Sequence, residues 1–158
     1  RLEYISELIE YLPIDSYGNW RRNCVLDEDK GYITKLDIIK QYKFTIAFEN
    51  AVSQDYVTEK FFEPLTVGSV PIYLGAPNIE TFSPGEHAFI DVRDYTSPKD
   101  LADDIMRYCR DISRYDSLLE WKRKTLSDEL AGLIEEQREH AFIRMVRLAK
   151  GRIEARLM

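Results

Sequence analysis

Three short apolar segments, separated by helical patterns, limit the folds open to this chain more than any other feature. The segments cover residues 43–48, 70–74 and 88–92, and they are rich in aromatic and β-branched residues. Residues 57–67, between the first two segments, have the spacing of a helix, and so does a stretch that opens at Ser97. Strands alternating with helices form a parallel sheet that is covered on both faces. The sequence therefore predicts an α/β fold with a Rossmann-like, doubly wound parallel sheet.

Local signals set the ends of the helix after the first strand. Ser53, Gln54 and Asp55 offer N-caps, and Gly68 stands where a C-terminal cap is expected. Pro64 lies within this helix and is expected to kink or shorten it.

The two ends of the chain differ in character. Residues 2–12 carry a helical pattern, and residues 14–18 are predicted as a short strand that leaves through a glycine. Residues 125–158 form one long amphipathic helical stripe. We therefore predict an α/β domain over residues 1–124, followed by a helical tail over residues 125–158.

The last part of the tail is basic. Packing on a neighbouring domain is the simpler interpretation, and a peripheral membrane contact through a basic amphipathic helix is the alternative. The basic residues, set against only Glu139 and Glu154, are Arg138, Arg144, Arg147, Lys150, Arg152 and Arg156.

Composition excludes several functional classes. The 158 residues carry a net charge of −6, which argues against a general nucleic-acid binder. The sequence contains no run of about 18 apolar residues, so no membrane-spanning segment is predicted. Neither the two histidines nor the two cysteines have the spacing of metal ligands, so no metal site is predicted.

The region around residues 49–60 carries the most chemistry. In doubly wound sheets, ligands bind outside the carboxyl ends of the strands, and Glu49 and Asn50 follow a strand directly. A helix that begins near residue 57 would direct its first amides toward a bound anion. The helix dipole would stabilise that anion by about 0.3–1 kcal/mol. Lys60 adds a cation, Glu59 adds an acceptor for sugar hydroxyls, and Tyr56 adds an aromatic face and a hydroxyl. These groups suit a sugar nucleotide, although Glu and Lys in a first turn are also typical of a solvated helix start.

Several runs of the sequence extend this interpretation. Together with matching positions nearer the N-terminus, they resemble the α1,3/4-fucosyltransferase family over about residues 1–122. The runs are residues 42–50, 55–61, 68–78 and 89–98.

The resemblance implies two facing Rossmann-like domains of the GT-B type, of which this chain would be the C-terminal, GDP-fucose-binding half. It implies an inverting transfer of fucose to the 3-hydroxyl of GlcNAc or Glc in a glycan acceptor. By the family pattern, Lys60 would neutralise the diphosphate and Glu59 would bind donor hydroxyls. The positions that match donor contacts are Arg1, Asn50, Tyr56, Glu59 and Lys60.

The family's general base is a carboxylate of an N-terminal domain, so we expect no catalytic residue in this chain. A strand that should precede Arg1 is also expected to be missing, which would leave apolar sheet edges open. We expect GDP-fucose as donor without an obligatory metal, while stimulation by a divalent cation stays open. The compartment would be the cytoplasm in a bacterium or the Golgi lumen in an animal or plant. A non-catalytic nucleotide-binding or interaction module with the same sheet is the alternative function.

Overall fold

A parallel sheet forms the centre of the molecule, and the computed structural model describes residues 1–138. Its strands are β1 (Phe44–Phe48), β2 (Val70–Leu74) and β3 (Ile90–Asp91), in the order β1-β2-β3. Phe48 pairs with Leu74 at the end of the β1–β2 ladder, and both ladders are parallel. The predicted parallel α/β sheet is confirmed. The third strand is shorter than predicted because the chain turns into a 3-10 helix at Val92.

Helices cover both faces of this sheet. α1 (Leu2–Leu8) and α4 (Pro98–Arg110) pack with Phe48 and Ile72 in one apolar cluster, whereas α3 (Glu59–Val67) packs with Ala47 and Tyr73 in the other. Neighbouring strand residues point to opposite faces, so one short strand serves both clusters. The helices are α1 (Leu2–Leu8), α2 (Tyr32–Ile39), α3 (Glu59–Val67), α4 (Pro98–Arg110), α5 (Ile112–Ser117) and α6 (Asp128–Arg138).

α3 begins later than predicted and uses a different cap. Its N-cap is Thr58, whose hydroxyl accepts from the Lys60 amide, so the predicted caps at residues 53–55 are wrong. Pro64 does not shorten the helix, which continues to Val67. Gly68 caps the C-terminus as predicted, with a left-handed φ of 96°.

Residues 14–18 do not form the predicted strand. The side chain of Asn23 takes the place of a neighbouring strand. Its oxygen accepts from the Ser16 backbone amide at 2.7 Å, and its nitrogen donates to the Ile14 carbonyl at 2.8 Å. The backbone amide of Asn23 also donates to the Ser16 carbonyl, at 3.1 Å. The segment therefore satisfies its backbone locally and joins no ladder.

The outer edge of β1 has no strand beside it within residues 1–138. An apolar groove of about 450 Å³ lies there, between residues 13–17 and β1, with α1 on one side. The strand expected before Arg1 stays a prediction.

The start of the tail is fixed to the domain. The Ser127 amide donates to the Pro84 carbonyl at 3.1 Å, and the Ser127 hydroxyl donates to the Ser83 carbonyl at 2.6 Å. α6 follows, and residues 139–158 lie outside the described residues, so the long helix and its membrane contact stay predictions. Within residues 1–138, no helix is long and apolar enough to cross a membrane.

We expect Gly68→Ala to lower the free energy of unfolding by about 1–2 kcal/mol, because an L side chain is strained at a left-handed φ. Urea unfolding of the two proteins measures the difference. Gly18→Ala is the matched control, since a Cβ at Gly18 meets no atom within 4 Å. Equal stability of the two variants would contradict the role of Gly68 as the cap.

Candidate functional site

Two predicted site residues meet where β1 ends. The Glu49 amide donates to the Leu74 carbonyl at 2.8 Å, so the ladder extends one residue beyond β1. The guanidinium of Arg1, just before α1, donates to the Glu49 carbonyl at 3.4 Å and to the Asn50 side-chain oxygen. The structure thus brings Arg1 and Asn50 together, 49 residues apart in sequence.

Two more predicted residues lie in the first turn of α3. The Lys60 ammonium is 3.6 Å from a Glu59 carboxylate oxygen and 3.2 Å from the Thr58 hydroxyl. Burial acts to raise the pKa of Glu59, but a hydrogen bond from its own amide and the charge of Lys60 outweigh it. The pKa of Glu59 therefore lies below its usual value, and this half-exposed group stays a carboxylate in mildly acidic solution.

Tyr56 lies beside these residues without bonding to them. Its amide donates to the Ser53 carbonyl at 3.2 Å, and its side chain is exposed. The loop before it is held by a reciprocal pair: the Asp55 amide donates to the Asn78 side chain at 3.0 Å, and the Asn78 amide group donates to the Asp55 carboxylate at 2.7 Å. The ring of Tyr56 is therefore presented to solvent from a fixed loop.

A residue not predicted for the site, Glu49, connects its parts. Its side chain is fully buried, and its carboxylate accepts from the Thr58 amide at 2.7 Å and from the Thr58 hydroxyl at 2.7 Å. The Lys60 ammonium lies 3.5 Å from the same carboxylate. The sequence did carry a signal, because a carboxylate directly after a buried strand lies at the ligand-binding edge of such a sheet.

The first amides of α3 already have partners, contrary to the expectation that they face a bound anion. The Thr58 amide donates to Glu49, and the Lys60 amide donates to the Thr58 hydroxyl at 3.4 Å. The Phe61 amide donates to the Thr58 carbonyl at 3.1 Å. The positive end of this helix is therefore compensated by a carboxylate of the protein itself, and the cationic side chains of Lys60 and Arg1 lie at the same edge of the sheet.

Gly75 allows Glu49 to occupy this position. A Cβ on Gly75 would lie 2.6 Å from the Glu49 Cγ and 2.3 Å from the Tyr73 hydroxyl oxygen. That hydroxyl is buried and accepts from the Ala76 amide at 2.9 Å. The residue that follows β2 must therefore be glycine for both groups to fit.

No group of three His, Cys, Asp or Glu side chains that could hold a metal ion is present in the described part of the chain. The site instead combines carboxylates, cations, an amide and a hydroxyl at the carboxyl edge of a parallel sheet. This arrangement defines the class: a Rossmann-like domain whose ligand-binding edge carries polar and charged side chains.

Residues 1–150 match the model of the C-terminal region of glycosyltransferase family 10 (fucosyltransferase), and the chain belongs to this family. It is 42% identical over 130 residues to human GDP-fucose protein O-fucosyltransferase 3, covering 78% of this chain and 27% of that protein. It is 35% identical over 146 residues to an Arabidopsis thaliana putative fucosyltransferase-like protein, covering 92% of this chain and 28% of the relative. The chain thus spans about a quarter of the length of these curated relatives.

Solved structures agree with this assignment. An α1,3-fucosyltransferase crystallised with GDP-fucose superimposes with a TM-score of 0.64 and 25% identity, covering 75% of this chain and 33% of that one. The same kind of enzyme with GDP also gives a TM-score of 0.64. The predicted α/β fold with a Rossmann-like parallel sheet is confirmed.

We expect Gly75→Ala to displace Glu49 and to lower the free energy of unfolding by about 1–3 kcal/mol, because the added methyl group overlaps two buried groups. Hydrogen exchange at the Thr58 amide should accelerate, since Glu49 is its acceptor. Gly18→Ala should change neither quantity. An unchanged rate of hydrogen exchange at the Thr58 amide in a folded Gly75→Ala protein would contradict the close packing of Glu49 against Gly75.

Proposed function

We propose that this chain is the donor-binding half of a fucosyltransferase that uses GDP-fucose. The observation that carries the proposal is the cluster at the carboxyl edge of the sheet, where Arg1 contacts Asn50 and Lys60 lies beside Glu59. Membership of glycosyltransferase family 10 and the likeness to an α1,3-fucosyltransferase with GDP-fucose support it. The roles below are parts of this proposal.

The diphosphate of the donor is held by two cations from different elements. Lys60 comes from α3 and Arg1 from the start of α1, and charge-assisted contacts of this kind contribute about 1.5–3 kcal/mol each. The negative charge on the leaving GDP grows as the bond to fucose breaks. A fixed ammonium at this position therefore stabilises the transition state more than the bound substrate.

The sugar and base are recognised by the polar and aromatic groups around these cations. Glu59 accepts hydrogen bonds from fucose hydroxyls, which its low pKa favours because the group stays ionised. Asn50 offers a donor and an acceptor, and the exposed ring of Tyr56 offers a flat contact surface.

The reaction is an inverting displacement. An acceptor hydroxyl attacks the anomeric carbon of β-linked fucose while the diphosphate oxygen leaves with the bonding electrons, and an α linkage results. The proton of the attacking hydroxyl passes to a carboxylate base from an N-terminal domain, so this chain contributes donor binding and leaving-group stabilisation. No metal is obligatory, because cationic side chains compensate the diphosphate charge.

The acceptor has two candidates. A protein hydroxyl is favoured by the relatives named protein O-fucosyltransferases, which are up to 42% identical to this chain among those compared. The 3-hydroxyl of GlcNAc or Glc in a glycan is the second candidate, favoured by the α1,3-fucosyltransferase structures at 25% identity. Because the relatives come from animals and a plant, the Golgi lumen is the favoured compartment.

A titration of the chain with GDP-fucose, GDP and UDP tests donor binding. We expect selective binding of the guanine nucleotides, weakened about 10- to 100-fold by Lys60→Ala through loss of one charge-assisted contact. Lys99→Ala is the control, because Lys99 is an exposed partner of Asp103 on α4. Equal affinity for UDP, or an unaffected Lys60→Ala protein, would contradict the proposed donor site. The non-catalytic module with its own ligand would then be favoured.

We further expect the chain by itself to bind GDP-fucose without transferring fucose, because the base and most of the acceptor contacts come from another domain. Release of GDP is measured with a GlcNAc-containing glycan and with a folded protein acceptor. Turnover with either acceptor would contradict this division of roles, and the acceptor used would identify the substrate class.

A further inference from the structure

The buried carboxylate of Glu49 has no part in the donor contacts proposed above, although it lies in the middle of them. The backbone carbonyl of Glu49 accepts from Arg1. The Glu49 carboxylate accepts from the Thr58 amide and lies beside the Lys60 ammonium. A carboxylate removed from water is unfavourable unless cations and hydrogen-bond donors surround it. This requirement ties Thr58 and Lys60 to the position of the Glu49 carboxylate.

A second buried glutamate, which lies on α3 itself, provides a comparison. Glu63 of α3 is paired with Lys35 of α2 at 2.5 Å, and its side chain is 7% exposed. This pair joins two helices and is not hydrogen-bonded to any of the five predicted donor residues, although the charge of Lys35 is one of the smaller causes that lower the pKa of Glu59. Both pairs anchor α3, but only the Glu49 pair reaches the carboxyl edge of the sheet.

We propose that Glu49 is a positioning residue for the donor diphosphate, which it influences through Lys60 and Thr58; this inference rests on the proposed function. The carboxylate fixes the Thr58 cap at the start of α3 and holds the Lys60 ammonium at the edge of the site. The Lys60 side chain is 29% exposed, so its ammonium can still reach a ligand while it stays near Glu49.

Holding Lys60 in place lowers the entropy cost of binding a phosphate. A free lysine side chain loses much rotamer freedom when it binds a phosphate, and a lysine already held in place loses less. An ammonium has three donors, and the Lys60 ammonium lies near the buried Glu49 carboxylate, the Thr58 hydroxyl and the Glu59 carboxylate, whose side chain is 54% exposed. A phosphate oxygen can replace Glu59 as partner while Thr58 and Glu49 keep the ammonium in position.

A double-mutant cycle tests the inference. GDP affinity is measured for the wild type, Glu49→Gln, Lys60→Ala and the double variant. We expect Glu49→Gln to weaken GDP binding about fivefold in the wild-type background and to have almost no effect when Lys60 is already alanine. Equal weakening in both backgrounds, or no weakening in a folded Glu49→Gln protein, would overturn the positioning role.

Glu63→Gln is the matched control, because it removes the charge of the other buried glutamate that anchors α3. It should lower stability without changing the GDP affinity of the folded protein. A loss of affinity equal to that of Glu49→Gln would show that any disturbance of α3 suffices, and the proposal would be overturned.

A measurement without nucleotide separates this inference from the proposed function. In competitive acetylation read by mass spectrometry, Glu49→Gln should increase the reactivity of Lys60 several-fold, and Glu63→Gln should do so for Lys35. Unchanged reactivity of Lys60 in the Glu49→Gln protein overturns the positioning role, whatever the GDP affinity. A wild-type protein that shows the Lys60 effect but binds no GDP would instead refute the donor function and, with it, the diphosphate as the positioned ligand.

Discussion

The parallel pairing of β1 with β2 is the constraint on which the site depends. Its register places Phe48 opposite Leu74, and the next hydrogen bond, from the Glu49 amide to the Leu74 carbonyl, fixes the residue that follows the strand. A shift of one residue would reverse the face to which each side chain points. The Glu49 carboxylate would then lie away from α3, and its stem would no longer pass over Gly75. A backbone ladder therefore sets the position of a charged group.

Electrostatic and apolar contacts fix α3 together. Phe61 is fully buried and makes edge-to-face contacts with Tyr73 and Phe89, at centroid distances of 5.2 and 5.3 Å. Such packing holds a helix against a sheet but discriminates poorly between small rotations about the helix axis. The two buried glutamates add directional contacts, from Glu49 to the start of the helix and from Glu63 to α2. Together they orient the turn that carries Glu59 and Lys60.

The parts of the fold that depend on local chemistry could be predicted from the sequence. β1 and β2 follow from runs of apolar residues, and the cap at Gly68 follows from the freedom of glycine at positive φ. Two of the errors involve partners outside the local segment. Asn23 substitutes for a strand beside residues 14–18, and Glu49 selects Thr58 as the cap from nine positions away. The contact of Arg1 with Asn50 could be anticipated only through family resemblance, because no periodic pattern connects residues so far apart.

The compensated N-terminus of α3 changes how an anion can be bound at this edge. In many Rossmann-like domains the first amides of a helix meet the phosphates, but here Glu49 and Thr58 already occupy them. In the proposed function, the attraction for the diphosphate comes instead from side chains on two elements, Arg1 before α1 and Lys60 on α3. Glu49 connects these elements, since its carbonyl accepts from Arg1 and its carboxylate lies beside Lys60. Glu49 therefore contributes to the placement of both cations, together with Asn50 for Arg1 and Thr58 for Lys60.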